Sequence, residues 1–486
     1  MFPFVQKLLF TSLLLSSQPS LGSDEPVVLS ESFLKGQVRK GNPAVDEHNL
    51  ETHHTYIGLL QNRDSYAPGI KIDTSLSESD DPRESIWSQQ QSLAYVQKMP
   101  WGVSGSLAYV YRKEKFGPML GAPFSGQQYY VPVLALNLKF DLWKNFLGNL
   151  DHGRKQYFRT VLSQSKINEK IQNYQFYTGL RSLYWRMVAQ ARRESVLKGF
   201  VASARSALRN MQARQRENVA DKGAVAEMAA SLAGAEANAR RASLVSRFLE
   251  RELKTQVPFL QGKKFRVDAD YQKFREASQE AQTCAAAQTA IAKVPYDNTS
   301  YDELIGKMKQ AVYWKSKELD SYSSPDVSLS LEGSSFGLDQ DSSEALGQPF
   351  GLDQSAYTAT LGVSIPLGSP ARTEKNLLIF EKRTTAVQEA KINAQFKAVH
   401  ESLQLNYPAL TESVRFFQKS IREYEIVVKS TSDKFRQGRR SVFDYISSRN
   451  SLLNSRLQMV DLEEQMILEV LNYLSIFNSA PCSFNR

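Results

Sequence analysis

The 486-residue chain has two cysteines and five histidines, and nowhere beyond its first two dozen residues does it offer about eighteen consecutive apolar residues. Each scarcity excludes something. Without a long apolar run no transmembrane helix is expected, so residence inside a bilayer would have to take the form of a β-barrel. Cys284 and Cys482 lie far apart and do not suggest zinc; in an oxidising compartment they read equally well as a disulfide or as two free thiols. His48, His53, His54, His152 and His400 share no metal-ligand spacing with cysteines or carboxylates, and no phosphate-cradling loop of the Walker type occurs. No catalytic constellation, metal site or cofactor is therefore expected, and no enzyme. The net charge of +9 is not of one sign locally: Lys and Arg mix with Asp and Glu along Arg192 to Lys198 and Asp461 to Glu469, as on solvated helix surfaces, so nucleic acid is not an expected partner.

What is present begins with Met1-Phe2-Pro3-Phe4-Val5-Gln6-Lys7, a mainly apolar stretch from Leu8 to Leu15, and small residues at Ser20-Leu21-Gly22. This is the pattern of a secretory signal peptide over residues 1–22, with a mature chain starting near Ser23. No cysteine follows that cut, so no lipid anchor is expected there.

Two stretches then show the same order of events, a helical lead-in followed by alternating strands, a long helix, a break and a returning helix. The first repeat covers residues 23–255, with strands over about 69–142 and a helical hairpin over about 146–255. A mixed connector containing Cys284 covers 256–300. The second repeat covers 301–477, with strands over about 326–367 and a hairpin over about 374–477, and 478–486 form a tail.

In Asp326-Val327-Ser328-Leu329-Ser330-Leu331-Glu332 apolar and polar residues alternate, and the same holds for Tyr357 to Ile365 and for Leu134 to Leu142. Ile70, Ile72 and Leu76 alternate with Lys71, Asp73 and Ser75; Val103, Leu107, Tyr109 and Tyr111 alternate with Ser104, Ser106 and Arg112. Period two means a sheet with one oily and one wet face. Three features favour a membrane barrel over a soluble sandwich. The strands reach about ten residues. Tyr129, Tyr130 and Trp143 bracket them like an interfacial girdle. Lys139, Asp141 and Glu332 put charge on the wet face, which suits a lumen. Four clear strands, with two more around Leu93 to Tyr111, are too few to close a barrel, so several copies have to share it.

Apolar residues at Leu403, Tyr407, Leu410, Val414, Phe417, Ile421, Tyr424 and Val428 alternate spacings of four and three, a coiled-coil stripe. After Gly438 a second stripe runs from Val442 through Ile446, Leu453, Leu457, Val460, Ile467 and Leu471 to Leu474, interrupted near Asn450 and Glu464. A helix from about Glu374 to Arg436 would be roughly 95 Å long, with a kink or local unwinding at Pro408. A matching helix runs from about Phe146 to Arg216, with an Ala-rich return from Ala224 to Leu253 that reads either as close helix approach or as plain helix propensity.

The run Gly362-Val363-Ser364-Ile365-Pro366-Leu367-Gly368 with Arg372, the turn Phe435 to Tyr445 followed by Asn450-Ser451-Leu452-Leu453, and Tyr184-Trp185 with Glu227-Met228 and Leu232-Ala233 together resemble the TolC family of outer-membrane efflux proteins. The resemblance implies an α+β membrane protein: a homotrimer whose strands form one shared transmembrane β-barrel in outer-membrane lipid, continued by a tunnel of coiled-coil hairpins in the periplasm. It further implies an exit duct for efflux or type I secretion, reached through a periplasmic adaptor protein from an inner-membrane transporter. On the family's pattern Asp444 lines the periplasmic entrance, while its second acidic position is Ser447 here. Arg440 matches a basic tip residue that holds the entrance closed, with Glu227 as its partner. Gly223, Gly438 and Ser441 belong to the tip turns that dock the adaptor, and in the first tip Asp221 stands where the glycine is expected. The rival reading is a periplasmic adaptor or structural coiled-coil protein, which predicts one hairpin and soluble β-domains.

Overall fold

A computed structural model describes residues 26–39, 42–78, 85–116, 127–218, 220–267, 270–291, 294, 299–322, 324–365, 369–478, 482 and 484. The signal-peptide segment and Pro366-Leu367-Gly368 lie outside the described residues. In chain order the elements are β1 (Val27–Leu29), α1 (Glu31–Arg39), α2 (Pro43–Asp64), β2 (Gly69–Glu78), β3 (Ser85–Met99), β4 (Val103–Phe116), β5 (Gln128–Asp141), α3 (Asn149–Arg216) and α4 (Lys222–Gln256). There follow β6 (Phe265–Val267), α5 (Tyr271–Thr289), α6 (Ser300–Tyr322), β7 (Asp326–Phe336), α7 (Ser342–Gly347), β8 (Ser355–Ser364), α8 (Ser369–Arg436) and α9 (Val442–Ile476). Both α3 and α8 have 68 residues, and both α4 and α9 have 35. No helix among the described residues is long and apolar enough to cross a membrane.

The chain divides into two units. One holds residues 47–172 and 296–397, including the six-stranded antiparallel sheet in the order β2-β3-β4-β5-β7-β8. Its apolar core lies in the helices: Ile167 and Ile171 of α3 pack with Leu304 and Met308 of α6. Among the described residues of the sheet only Tyr129 and Pro132 are apolar or aromatic side chains that are buried.

The other unit holds residues 1–46, 173–295 and 398–486. The coiled-coil stripe is its visible logic. Leu403 and Val414 are buried, and Tyr407, Leu410, Phe417, Ile421, Tyr424 and Val428 are half-buried, whereas the off-stripe Leu405 and Ile426 are 76% and 64% exposed. In α4 the buried Met228, Ala235 and Ala242 recur every seven residues, while Ala226, Ala229, Ala230, Ala233 and Ala237 are exposed. Most of those alanines are thus exposed within the single chain, as helix propensity alone allows. α8 stays helical through Pro408, without the local unwinding expected there. Glu464, which interrupts the second stripe, is paired: Arg193 of α3 reaches both Glu464 and Asp461, the latter at 2.6 Å.

Cys284 of α5 and Cys482 of the tail form a disulfide. The same tail is clasped by Arg181, which donates from Nη2 to the carbonyl of Phe484 (2.7 Å) and from Nε to Glu31 Oε1 (3.0 Å), while Trp185 Nε1 donates to the same Glu31 oxygen. Further polar groups are buried nearby. His400 lies with Nε2 3.1 Å from the Ile291 carbonyl and Nδ1 3.4 Å from Tyr473 Oη. Glu463 is 2% exposed, and burial pushes its carboxyl up to about 7 against the opposing pull of Arg275 and Arg192.

Candidate functional site: the two-faced sheet and the helical tips

Register decides what the sheet presents, because residues directly opposite one another share a face. One row runs Ile70, Tyr95, Leu107, Leu136, Gly333 and Tyr357 across all six strands; a second joins Met99, Val103, Phe140, Leu329 and Leu361. Interleaved rows on the other face join Val96, Ser106, Asn137, Glu332 and Thr358, and Lys98, Ser104, Lys139, Ser330 and Thr360. The separate alternations read along each strand are thus in phase, and the sheet has one continuous oily face. That face is open: Ile72 is 76%, Leu136 45% and Leu361 65% exposed. On the wet face Asn137 Nδ2 donates to Glu332 Oε1 at 2.6 Å.

Aromatic residues stand at both ends of the oily face. Trp87, Tyr111 and Tyr130 gather near one end, with Tyr111 and Tyr130 stacked at 5.9 Å and Lys113 Nζ 5.5 Å from the Trp87 ring. Trp101 and Trp143 mark the other end, each 63% exposed. Tyr129 does not belong to this girdle. As the neighbour of Tyr130 it points to the opposite face, where it is buried and hydrogen-bonded to Gln127 Oε1.

The β3–β4 turn is locked to the start of α3. Gly102 and Gly148 both have positive φ, 78° and 79°. A Cβ on Gly102 would stand 2.2 Å from the Asn145 carbonyl oxygen, and one on Gly148 would stand 1.9 Å from that of Pro100. Only glycine meets both demands. Asp141 N donates to the Gly102 carbonyl at 2.8 Å, and Asp151 of α3, held by Asn145 Nδ2 at 2.6 Å, pairs with Lys98 Nζ at 3.0 Å. The signal for this junction in the sequence is a glycine in each of two turn-rich stretches, Pro100-Trp101-Gly102 and Asn145 to Asn149, on either side of β4 and β5.

At the tips α8 ends in a Schellman motif. Gly438 has φ +73°, its N–H donates to the Phe435 carbonyl (3.0 Å), and Arg439 N donates to Lys434 O (2.8 Å). Ser441 then caps α9 in a capping box with Asp444. The first tip repeats this with other residues. Asn218 takes the left-handed position at φ +58°, two residues past the end of α3 as Gly438 is past the end of α8, and Asp221 is the N-cap of α4, accepting from Ala224 N at 2.7 Å. The counterpart of Gly438 is therefore Asn218, and Asp221 corresponds to Ser441. The expectation of a displaced glycine is corrected accordingly: Gly223 lies inside α4 and has no positive φ. By the same correspondence Glu227 stands where α9 has Ser447.

Arg440, Glu227, Gly223, Gly438 and Ser441 line one hollow of about 460 Å³ together with Met211, Phe435 and Val442, members of an apolar cluster that also holds Met228. Arg440 does not pair with Glu227 within the chain. Its Nη1 lies 3.5 Å from Asp444 Oδ2, since the chain turning into the N-cap Ser441 brings Arg440 back beside the first turn of α9. Hydrogen bonding by Ser441, then the charge of Arg440, holds the Asp444 carboxyl below its usual value. Arg214 of α3 donates to the Phe435 carbonyl at 3.1 Å, tying the end of α8 to the neighbouring hairpin. Among the described residues no group of His, Cys, Asp and Glu could hold a metal ion.

No protein-family model matches this sequence, and no curated protein matches it by sequence. Solved structures do match. A structure of CusC described for its folding and transmembrane channel formation aligns with TM-score 0.66 at 12% identity over 94% of this chain and 95% of that one. The outer-membrane protein VceC of Vibrio cholerae aligns with TM-score 0.63 at 10% identity, covering 93% and 96%, and the CmeC outer-membrane channel of Campylobacter jejuni with TM-score 0.62 at 12% identity, covering 95% and 90%. Similarity over nearly the full length of each, with two long hairpins and an open two-faced sheet, gives this chain the fold of the TolC-type outer-membrane channel proteins.

Proposed function

We propose that the chain is one subunit of a homotrimeric outer-membrane channel, the exit duct for efflux or type I secretion driven by an inner-membrane transporter through a periplasmic adaptor. The observation that carries it is the continuous oily face of the sheet, open to the surroundings and bracketed by aromatic residues. Exposed apolar area of that extent on a soluble protein would drive aggregation; against lipid it is stabilising. From Pro132 to Leu142 the oily face spans roughly 25 Å along a barrel axis at a tilt near 40°, the height of the apolar band in such barrels. The wet face, with Lys98, Lys139, Asn137 and Glu332, then lines water. Two hairpins argue against the rival adaptor reading, which requires one.

In this reading the chain performs no chemistry on its cargo. The tips meet the adaptor around Gly223, Gly438 and Ser441. Asp444 lies at the periplasmic entrance, where three copies near an axis would attract cations. Arg440 acts as the latch, its ion pair with Asp444 being exposed and weak enough to exchange for Glu227 of a neighbouring tip. Extraction tests the whole reading: the mature protein should stay with the outer membrane until detergent is added, and release by osmotic shock alone would refute it.

A further inference from the structure

We infer that the β3–β4 hairpin is part of the barrel wall, so that three copies close an eighteen-stranded duct in which β2 of one copy pairs with β8 of the next. The copy number rests on the trimeric reading above; the strand count rests on the sheet itself.

The hairpin sits in the middle of the sheet and not beside it. β3 is in register with β2 over ten consecutive pairs, from Gly69 opposite Val96 to Glu78 opposite Trp87, and β4 with β5 over thirteen, from Val103 opposite Phe140 to Lys115 opposite Gln128. Its side chains continue both faces: Leu93, Tyr95 and Leu107 are on the oily one, Lys98 and Ser104 on the wet one. At the helix end the turn is fixed by the backbone approach of Gly102 and Gly148. Removing the hairpin would leave β2 without any neighbour.

What the sheet lacks is closure. β2 and β8 end the strand order and are not bonded to each other. Both have ten residues, and their apolar side chains are more exposed than those inside: Ile70, Ile72 and Leu361 at 72%, 76% and 65%, against 47%, 45% and 39% for Leu107, Leu136 and Leu331. The excess is the share of surface that a cross-strand neighbour covers in the interior of the sheet. The fitting neighbour is a second copy. With six alternating strands β2 and β8 run in opposite directions, so β8 meets the next β2 antiparallel, and even-numbered residues of β2 must lie opposite odd-numbered residues of β8 to keep the oily face continuous.

Strand number sets width. At a strand spacing near 4.8 Å and a tilt near 40°, eighteen strands enclose a barrel about 36 Å across between backbones, against about 24 Å for twelve. Barrels of sixteen to eighteen strands are wide enough to hold an aqueous channel. The duct should therefore stay open through the membrane, leaving control of passage to the helical tips.

Electron cryomicroscopy of the full mature chain in lipid nanodiscs tests this directly. A threefold particle whose membrane layer shows eighteen strands at about 36 Å supports the inference. A threefold particle with twelve strands, and β3–β4 folded against it, overturns the inference and leaves the trimeric channel standing; a particle without threefold symmetry overturns both. Crosslinking gives a second readout. Asp73→Cys combined with Thr360→Cys, both on the wet face of the edge strands, should yield covalent trimers with a flexible bismaleimide, and a product confined to monomer would refute edge pairing.

Discussion

Arg440, one residue before the N-cap of α9, pairs with Asp444 of that helix at 3.5 Å, and Glu227 of the other hairpin lines the same hollow without joining them. The acid proposed for the entrance and the cation proposed for the latch are thus coupled in the isolated chain. Changing one alters the other. Asp444→Asn keeps an acceptor for the capping box but removes the charge, so helix content should hold while the cation sensitivity of single-channel conductance weakens. An unchanged response would remove Asp444 from the entrance.

The same coupling bears on the latch. Arg440→Ala and Glu227→Ala should each raise single-channel conductance by loosening the tips, with little change in thermal stability, since an exposed ion pair contributes only about 0 to 1 kcal/mol. Unaltered conductance in both variants would contradict the latch.

How much of this was legible beforehand differs by element. The stripe from Leu403 to Val428 was readable because helix burial follows a fixed period, and each position falls on the covered side. The strands were readable for the same reason with period two. β3 is harder to read, because near its start it runs Trp87-Ser88-Gln89-Gln90-Gln91, where glutamines occupy both faces and erase the alternation. The first tip is less legible, because asparagine and not glycine takes the left-handed position there. The Asp444 contact of Arg440 depends on how the chain turns into α9, which spacing alone does not show. The disulfide could not be decided from sequence, because 198 residues separate the two cysteines and only the fold brings their Cα atoms to 5.3 Å.

That disulfide closes a long loop and holds a tail that Arg181 also grips. Cys284→Ser or Cys482→Ser should lower stability by about 2–5 kcal/mol, and reductant should lower the melting temperature of the parent chain but not of either variant. Limited proteolysis should then cut the tail first. Equal melting temperatures in parent and variants would show that the bond contributes nothing.

Glu463 gives a pH signature. Its folded value is raised to about 7 from 4.5 by burial. Below pH 4.5 the carboxyl is protonated in folded and unfolded chains alike and burial carries no charge penalty. Between 4.5 and 7 the folded chain keeps a proton that the unfolded chain has released, so stability falls as pH rises, and above 7 the full cost of at most about 3 kcal/mol applies. Glu463→Gln should therefore melt higher than the parent at pH 8 and alike at pH 4, and a constant difference across that range would contradict the assignment.

Gly148→Ala places a methyl group where the Pro100 carbonyl oxygen stands, 1.9 Å away, at a residue with φ +79°. Neither backbone can yield without parting the β3–β4 turn from α3. The variant should fail to accumulate in the membrane fraction, whereas Gly179→Ala, with nothing within 4 Å, should accumulate as the parent does. Normal accumulation of Gly148→Ala would show that the junction is not needed for assembly.

The central claim is that this chain forms a water-filled path across a membrane, and recording currents from the purified, detergent-solubilised protein in planar lipid bilayers tests it most directly. Discrete, long-lived conductance steps that appear only with folded protein are the predicted result. Bilayers that stay electrically silent with folded protein inserted would contradict it.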